Sequence, residues 1–589
     1  MSYARLVLSA CTKDPLPTNQ PTIPLPPRHA ATNTIQHYFD NFFILYPLFQ
    51  ESSFFASLDA VYTAGGAAAS PFDHFCVRMA LAIAHAGLLE QRGDPNYMDA
   101  VGHVTAALTY AEHVLRPGSI QSVQALLMLH EYAMIDPHHL DSWGLIGAAS
   151  RTMVDLGLHH DPPKGTPMSR ARLELRRRVF CCVYAFDRTT SLVQTRAFSF
   201  SDDSTNVSVP FTKAQAAVRA PAQTLSSHIL LKNYDAALDL FRLRKIQSGW
   251  YTELFQSGRE AWPDPYPALW RICKSMKDWY DNISKDTTKH IRSFFELNLL
   301  YSYVYILAPS PRVPNIAPFA QTLIFEYCIQ YAEKITQHVN SRLVAVPPIS
   351  FYDAMRVYMT GRQFIDVLAN NQERLLSGVI PELPHVPLDS APPPSIPTIP
   401  KDMQINASRS IACIKQLTEC LGLFGMRWGY MSWRDRFESD AEETLNALNR
   451  RMWELQDASS NLSGQSRRPN WHHTDSTGSL GSESQATSSP FSQQPMYSSP
   501  AGVQPILTPT NPPEFFQARP GYLRSQSSIS NQPSPLSYEQ QHQSKNAYEA
   551  PSQQFATWKG LGPGLSTHNS VRSDDMLAPG SDSDPFGGM

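Results

Sequence analysis

Between residues 34 and 457, apolar side chains recur at intervals of three and four, while alternating stretches are scarce. That period places apolar groups on one face of an α-helix and does not suit the two-residue period of a strand. Ile35, Tyr38, Phe39, Phe42 and Phe43 form the first such set. Phe72, Phe75, Cys76, Met79, Ile83 and Ala86 form a second, and Tyr97, Val101, Val104, Leu108, Ala111 and Leu115 a third. Pro117 and Gly118 stop that helix, and Ser119 is placed to cap the next by accepting from a free backbone N–H. This helix carries Ile120, Val123, Leu126, Leu127 and Met134. Asp141 can cap a further helix bearing Trp143, Ile146, Ala149, Met153 and Leu156, which Gly157 can end in the left-handed conformation. Residues 169–192 read as another helix with the stripe Leu175, Val179, Cys182 and Phe186, and Glu174 stands in the favourable i,i+4 order to Arg178. The pattern resumes at 224–257, 265–284, 288–307, 317–341 and 350–377. The fold class expected is all-α, a multi-helix stack with short connections and no fixed-period repeat.

Composition divides the chain. Residues 1–33 hold prolines 15, 17, 21, 24, 26 and 27 and read as a disordered leader without helix. The helical body spans 34–380, and a stretch at 381–402 with eight prolines reads as an extended loop. Helices of the same domain follow at 403–457. Residues 458–589 hold 26 serines, 15 prolines, seven Lys/Arg and nine Asp/Glu. Such a tail cannot bury enough apolar surface to offset the entropy of ordering and is expected to be disordered.

Several function classes are disfavoured. A net charge of −3 argues against a nucleic-acid or anionic-membrane binder acting through the whole surface. No cysteine pair has Cys-x-x-Cys spacing, so no metal site is assigned, and the eight cysteines read as reduced core thiols. The apolar runs at 42–49 and 299–308 are too short to span a bilayer. There is no Gly-rich phosphate loop and no nucleophile elbow, and no catalytic residue is assigned.

The run from Asp141 to His159 (DSWGLIGAASRTMVDLGLH) is followed by Glu174 to Phe180 (ELRRRVF), Tyr184 to Arg188 (YAFDR), and Val209 with Pro210. In this order the segments resemble the fungal-specific transcription factor domain, the middle region of zinc binuclear cluster transcription factors. Tyr38, Phe39, Tyr46, Pro47, Phe54 and Phe55 resemble its opening helix, and Ser119 to Leu127 its middle helix. The resemblance is firm over 34–215 and looser to 380. It departs where Thr195, Arg196 and Ala197 stand in place of Gly-Arg-Pro, and where Cys181 replaces an aromatic residue. It implies an all-α regulatory domain in a nuclear regulator of transcription by RNA polymerase II, not an enzyme. The implied partners are the transcription machinery or a coactivator, with a small-molecule effector and dimerisation as further candidates. Zinc is expected only in the family's N-terminal cluster, which is absent from this chain. DNA contact then comes from a cluster lying upstream, or this chain is a DNA-binding-deficient cofactor that acts through a partner protein.

Four charged residues stand out as one constellation: Arg151, Asp155, Asp187 and Arg188. Asp187 follows Val183 by four and Phe180 by seven, so it shares their apolar face and needs a partner. The constellation reads as an ion-pair network between two helices, or as a pocket for an acidic effector. Arg176, Arg177 and Arg178 point about 100° apart and read as a solvated, internally paired face. His138 and His139, and His159 with His160 and Asp161, read as helix-end groups rather than metal ligands. Asp202 and Asp203 resemble half of the acidic magnesium motif of all-α terpene cyclases, a remote enzyme alternative. In the tail, acidic residues flank Phe515, Phe516, Met576, Leu577 and Phe586, the pattern of an activation segment that a coactivator groove captures.

Overall fold

A computed structural model describes residues 2–16, 23–210, 234–340 and 349–465, with side chains described through residue 457. The tail residues Phe515, Phe516, Met576, Leu577 and Phe586 lie outside the described residues. Among the described residues the fold is all-α, as the spacing predicts, with three isolated bridges and no strand. None of the described helices is long and apolar enough to cross a membrane.

The helices are α1 (Tyr3–Cys11), α2 (Arg28–Tyr38), α3 (Glu51–Tyr62), α4 (Pro71–Leu88), α5 (Pro95–Leu108), α6 (Ala111–Val114), α7 (Ile120–Ile135) and α8 (Ser142–Asp155). They continue with α9 (Arg170–Val193), α10 (Asp235–Tyr251), α11 (Tyr266–Asp281), α12 (Lys289–Leu307), α13 (Pro318–Asn340), α14 (Phe351–Leu376), α15 (Met403–Trp428) and α16 (Ser432–Gln465). Local chemistry sets the ends. Ser119 Oγ accepts from Ser122 N at 3.1 Å, and Asp141 Oδ2 accepts from Gly144 N at 2.9 Å. Gly157 follows α8 with φ 61, and Gly429 separates α15 from α16 with φ 71. At the end of α2 the backbone widens into a π turn over Phe39–Phe43. There Phe39 packs on Phe43, Phe54 and Phe55 with ring centroids 4.5, 5.3 and 5.3 Å apart.

The N-terminal stretch departs from the expectation of a disordered leader. Its first proline is Pro15, and α1 lies before it. Ala4, Val7 and Cys11 are buried, and α1 packs on α8. Tyr3 Oη and Thr152 Oγ1 are 2.9 Å apart, and Asp141 N donates to Cys11 O at 2.7 Å. The prolines act as expected only further on, where no helix forms over 23–27.

Helix α7 is the axis of the first half, buried from Ser122 to Ile135 between α4 and α8. Helices α12 to α16 pack on one another as the second half. Among the elements that join the halves are α10, which touches α9, α11 and α12, and α14, which touches α7 and α9. Between α14 and α15 the proline-rich stretch is non-helical. Gly378, at φ +69, lets the chain come so close that an added Cβ would run into Pro400 O.

Candidate functional site

The C-terminal half of α9 is buried on all sides, polar residues included. Asp187 and Arg188 lie there at 0% and 1% side-chain exposure. Arg188 Nη1 donates to Asp187 Oδ2 at 2.6 Å. Its Nη2 donates to Asp202 Oδ1 at 2.8 Å and to Phe200 O at 2.9 Å, and its Nε to Ser248 Oγ at 3.2 Å. Tyr184, Phe198 and Phe200 ring the guanidinium, with centroids 4.2, 4.4 and 4.4 Å away. Asp187 also accepts from Ser199 N at 3.2 Å. Burial raises the Asp187 carboxyl above the ordinary range, against the pull of Arg188 and the Ser199 N–H. The pair therefore clamps three pieces: α9, the return loop at 194–205, and α10.

That loop must reverse direction within a few residues. Arg196 N donates to Ser191 O at 2.8 Å, and Thr195 between them takes a φ of 54. This is the left-handed region, which a β-branched residue enters at a cost. Thr195 stands where the resembling family shows glycine, which takes such a φ without penalty.

The other two residues of the constellation do not join it. Arg151 and Asp155 are exposed on α8, and among the described residues no hydrogen bond or ion pair ties them to Asp187 or Arg188. The reason is helical phase: Leu145, Ile146, Ala149 and Met153 face inward, and Arg151 and Asp155 fall on the opposite side. Asp202 is drawn to Arg188, while Asp203 is exposed. The described residues thus show Asp202 facing a guanidinium rather than a facing set of carboxylates.

Each of the three consecutive arginines has its own anchor. Arg176 Nη2 donates to Gly157 O at 2.7 Å, at the end of α8. Arg177 takes Asp161 through Nε and Nη2 at 2.9 and 2.7 Å. Arg178 is buried, contrary to a solvated face, with Nε 3.3 Å from Glu174 Oε1 and Nη1 donating to Phe49 O at 3.0 Å. The histidine pairs serve as ties. His138 Nε2 is 2.5 Å from Trp428 O and its ring stacks on Tyr430, joining the α7–α8 turn to the end of α15. No group of His, Cys, Asp or Glu among the described residues is arranged to hold a metal ion.

Sequence reasoning missed a second buried polar cluster, where α7, α8, α9 and α14 meet. Tyr352 Oη hydrogen-bonds to Ser142 Oγ at 2.9 Å and to Thr190 Oγ1 at 3.0 Å, donating to one hydroxyl and accepting from the other. His130 Nδ1 lies 2.8 Å from Ser142 O and its Nε2 3.3 Å from Thr190 Oγ1. Burial lowers His130 to about 4, so the ring is neutral at pH 7. The signal was present: His130 and Thr190 stand at apolar-face positions, three after Leu127 and four after Phe186. Beside it, Glu131 is buried with neither oxygen hydrogen-bonded, and burial raises its carboxyl well above the ordinary range. The thiols are buried too, and burial pushes Cys11 and Cys420 each up to about 11. These arrangements fix helix against helix and hold charges out of water.

Residues 35–261 match the family described as the fungal specific transcription factor domain. Over 274 residues the chain is 26% identical to an ABC-transporter-regulating transcription factor of Aspergillus fumigatus, covering 45% of this chain and 29% of that protein. Over 261 residues it is 23% identical to pyrimidine pathway regulatory protein 1 of Saccharomyces cerevisiae, covering 39% and 29%. Over 186 residues it is 26% identical to a positive regulator of purine utilization of Emericella nidulans, covering 26% and 17%. The chain thus spans 29% of the length of the first of these relatives. No solved structure matches it.

Proposed function

We propose that this chain, which carries a fungal specific transcription factor domain over residues 35–261, regulates transcription by RNA polymerase II in the nucleus. The helical body acts as a regulatory and interaction module that restrains or relays activation, and residues 458–589 recruit the transcription machinery or a coactivator. One observation carries the reading: the matched helices do not stand alone. Tyr352 of α14 reaches into the joint of α8 and α9, and His138 ties the α7–α8 turn to α15. A contact made on one half therefore bears on the other. The regulatory names of the relatives support the same reading.

All eight cysteines are buried free thiols of the helical body. This favours a reading in which DNA contact comes from elements other than these residues, either an upstream zinc cluster or a partner protein. The test fuses the full chain to a foreign DNA-binding domain and measures a reporter. A changed output that is lost on deleting 458–589 upholds both roles. No effect of any fragment on the reporter refutes them. Purified chain that binds one DNA sequence at nanomolar concentration and physiological salt refutes the assignment of DNA contact elsewhere.

A further inference from the structure

The loop over residues 161–169 joins α8 to α9 and contains neither helix nor strand. Its middle is a tight turn: Thr166 N donates to Pro163 O at 3.1 Å, and Gly165, third of the four residues, takes a φ of +93. Thr166 ends that turn, exposed, and Pro167 follows it. The Thr166 hydroxyl donates to Pro163 O at 2.8 Å and makes no other hydrogen bond among the described residues. It is a nucleophile within reach of an approaching enzyme, on an irregular segment, with a residue after it that has no N–H to donate.

Three Ser-Pro or Thr-Pro pairs fall within the described residues, and the other two are closed. Ser310, before Pro311, is 4% exposed. Ser70, before Pro71, caps α4: its Oγ accepts from Asp73 N at 3.2 Å and donates to Asp73 Oδ2 at 2.7 Å. A phosphate on Ser70 would lose that cap and face a carboxylate. Around Thr166 the free charges have the opposite sign. Lys164, Arg170 and Arg172 are exposed, two positions before Thr166 and four and six after it, and none has an ion pair among the described residues. Arg176, one turn beyond Arg172, spends its guanidinium on the carbonyls of Leu156 and Gly157. Asp161, the carboxylate of this loop, is already held by both Nε and Nη2 of Arg177.

We propose that Thr166 is a phosphorylation site for a proline-directed protein kinase. The transfer forms a bond between Thr166 Oγ1 and the γ-phosphorus of ATP and breaks the bond from that phosphorus to the β,γ-bridging oxygen. ADP leaves, and the hydroxyl proton passes to the kinase's base. The phosphate adds a charge of about −1.5 to −2 to a loop whose unpaired neighbours are cations, so the fold accommodates it. That loop leads into α9, which carries the Asp187–Arg188 clamp. A regulatory use of the phosphate rests on the reading above; the modification itself does not.

The test incubates the full chain with ATP, magnesium and a purified mitogen-activated or cyclin-dependent kinase, each active on a standard Ser-Pro peptide. Mass spectrometry of the digested product locates the phosphates. Thr166 is modified, Ser70 and Ser310 are not, and the Thr166 phosphopeptide is missing from Thr166→Val. Residues 458–589 hold four further pairs, beginning at Ser489, Ser499, Thr508 and Ser534, which the mass spectra separate from Thr166. Pro167→Ala slows modification of Thr166 about tenfold, the scale of one N–H left unpaired in the kinase pocket. After kinase treatment the unfolding midpoint of the wild-type chain is at or above that of Thr166→Val treated alike. An unmodified Thr166 overturns the proposal, and so does equal modification of Ser70 or Ser310. An unchanged rate in Pro167→Ala refutes the proline-directed assignment, and a lower midpoint refutes the part given to the cations. If Thr166 is modified yet wild type and Thr166→Val give the same reporter output in cells, the site stands and its regulatory use fails.

Discussion

Replacing Arg188 by alanine tests the clamp on α9 most directly. The change removes donors to Asp187, Asp202, the Phe200 carbonyl and Ser248 at once. It also empties the space between three aromatic rings. Asp187, at 0% exposure, then keeps Ser199 as its partner and has no positive charge to pair with. Breaking a buried pair by removing one member costs about 3–5 kcal/mol, because the other charge is left uncompensated. Asp202 adds little, since it is 42% exposed and water can replace the arginine. Removing both charges should therefore cost less than the sum: Arg188→Met with Asp187→Leu is expected within about 2 kcal/mol of wild type, as apolar replacement of a buried pair is often near neutral. Urea unfolding at pH 7, followed by tryptophan fluorescence and circular dichroism, measures Arg188→Ala, the double variant and the singles Arg188→Met and Asp187→Leu, and the loss in the double variant less the losses in those two singles is the coupling energy of the pair. If Arg188→Ala loses less than about 1 kcal/mol, or the double variant loses the full sum, the clamp is not what holds this joint.

Three further outcomes follow from particular side chains. Thr195→Gly relieves a left-handed backbone at φ 54 and should stabilise by about 0.5–1 kcal/mol, read as a higher urea midpoint; a lower midpoint would contradict the strain. His130, held neutral to about 4 in the fold, leaves the unfolded chain binding the extra proton between its ordinary 6.5 and that value. Stability should thus fall as pH drops through this window, by about 3 kcal/mol from this group, and His130→Gln should flatten the slope. Glu131 acts with the opposite sign: its raised carboxyl means that stability declines as pH rises above 4.5. Glu131→Met removes two unpartnered oxygens and should stabilise by about 1–3 kcal/mol at pH 7; an unchanged or lower unfolding midpoint would show that the carboxyl has a partner.

Local and periodic features were legible in advance. The three-and-four spacing predicted the run of helices, Ser119 and Asp141 cap where expected, and Gly157 takes the left-handed turn. These features depend on residues within a few positions of one another, which is all that a linear reading resolves. The segments that carry the family resemblance lie inside the matched span, and they too are local in order and spacing. Even α1 was within reach, since Ser2 accepts from Arg5 N at 3.2 Å and the first proline comes only at Pro15.

Which charge meets which was decided in three dimensions. Four charged residues on α8 and α9 looked alike along the chain, yet helical phase and a strained loop bring only Asp187 and Arg188 together, with Asp202 as the third. Tyr352 meets Thr190 across 162 positions, and His138 meets Trp428 across 290. Periodicity specifies faces, because a helix repeats every 3.6 residues whatever surrounds it. Partners depend on how those faces are stacked, and only the packed fold sets that.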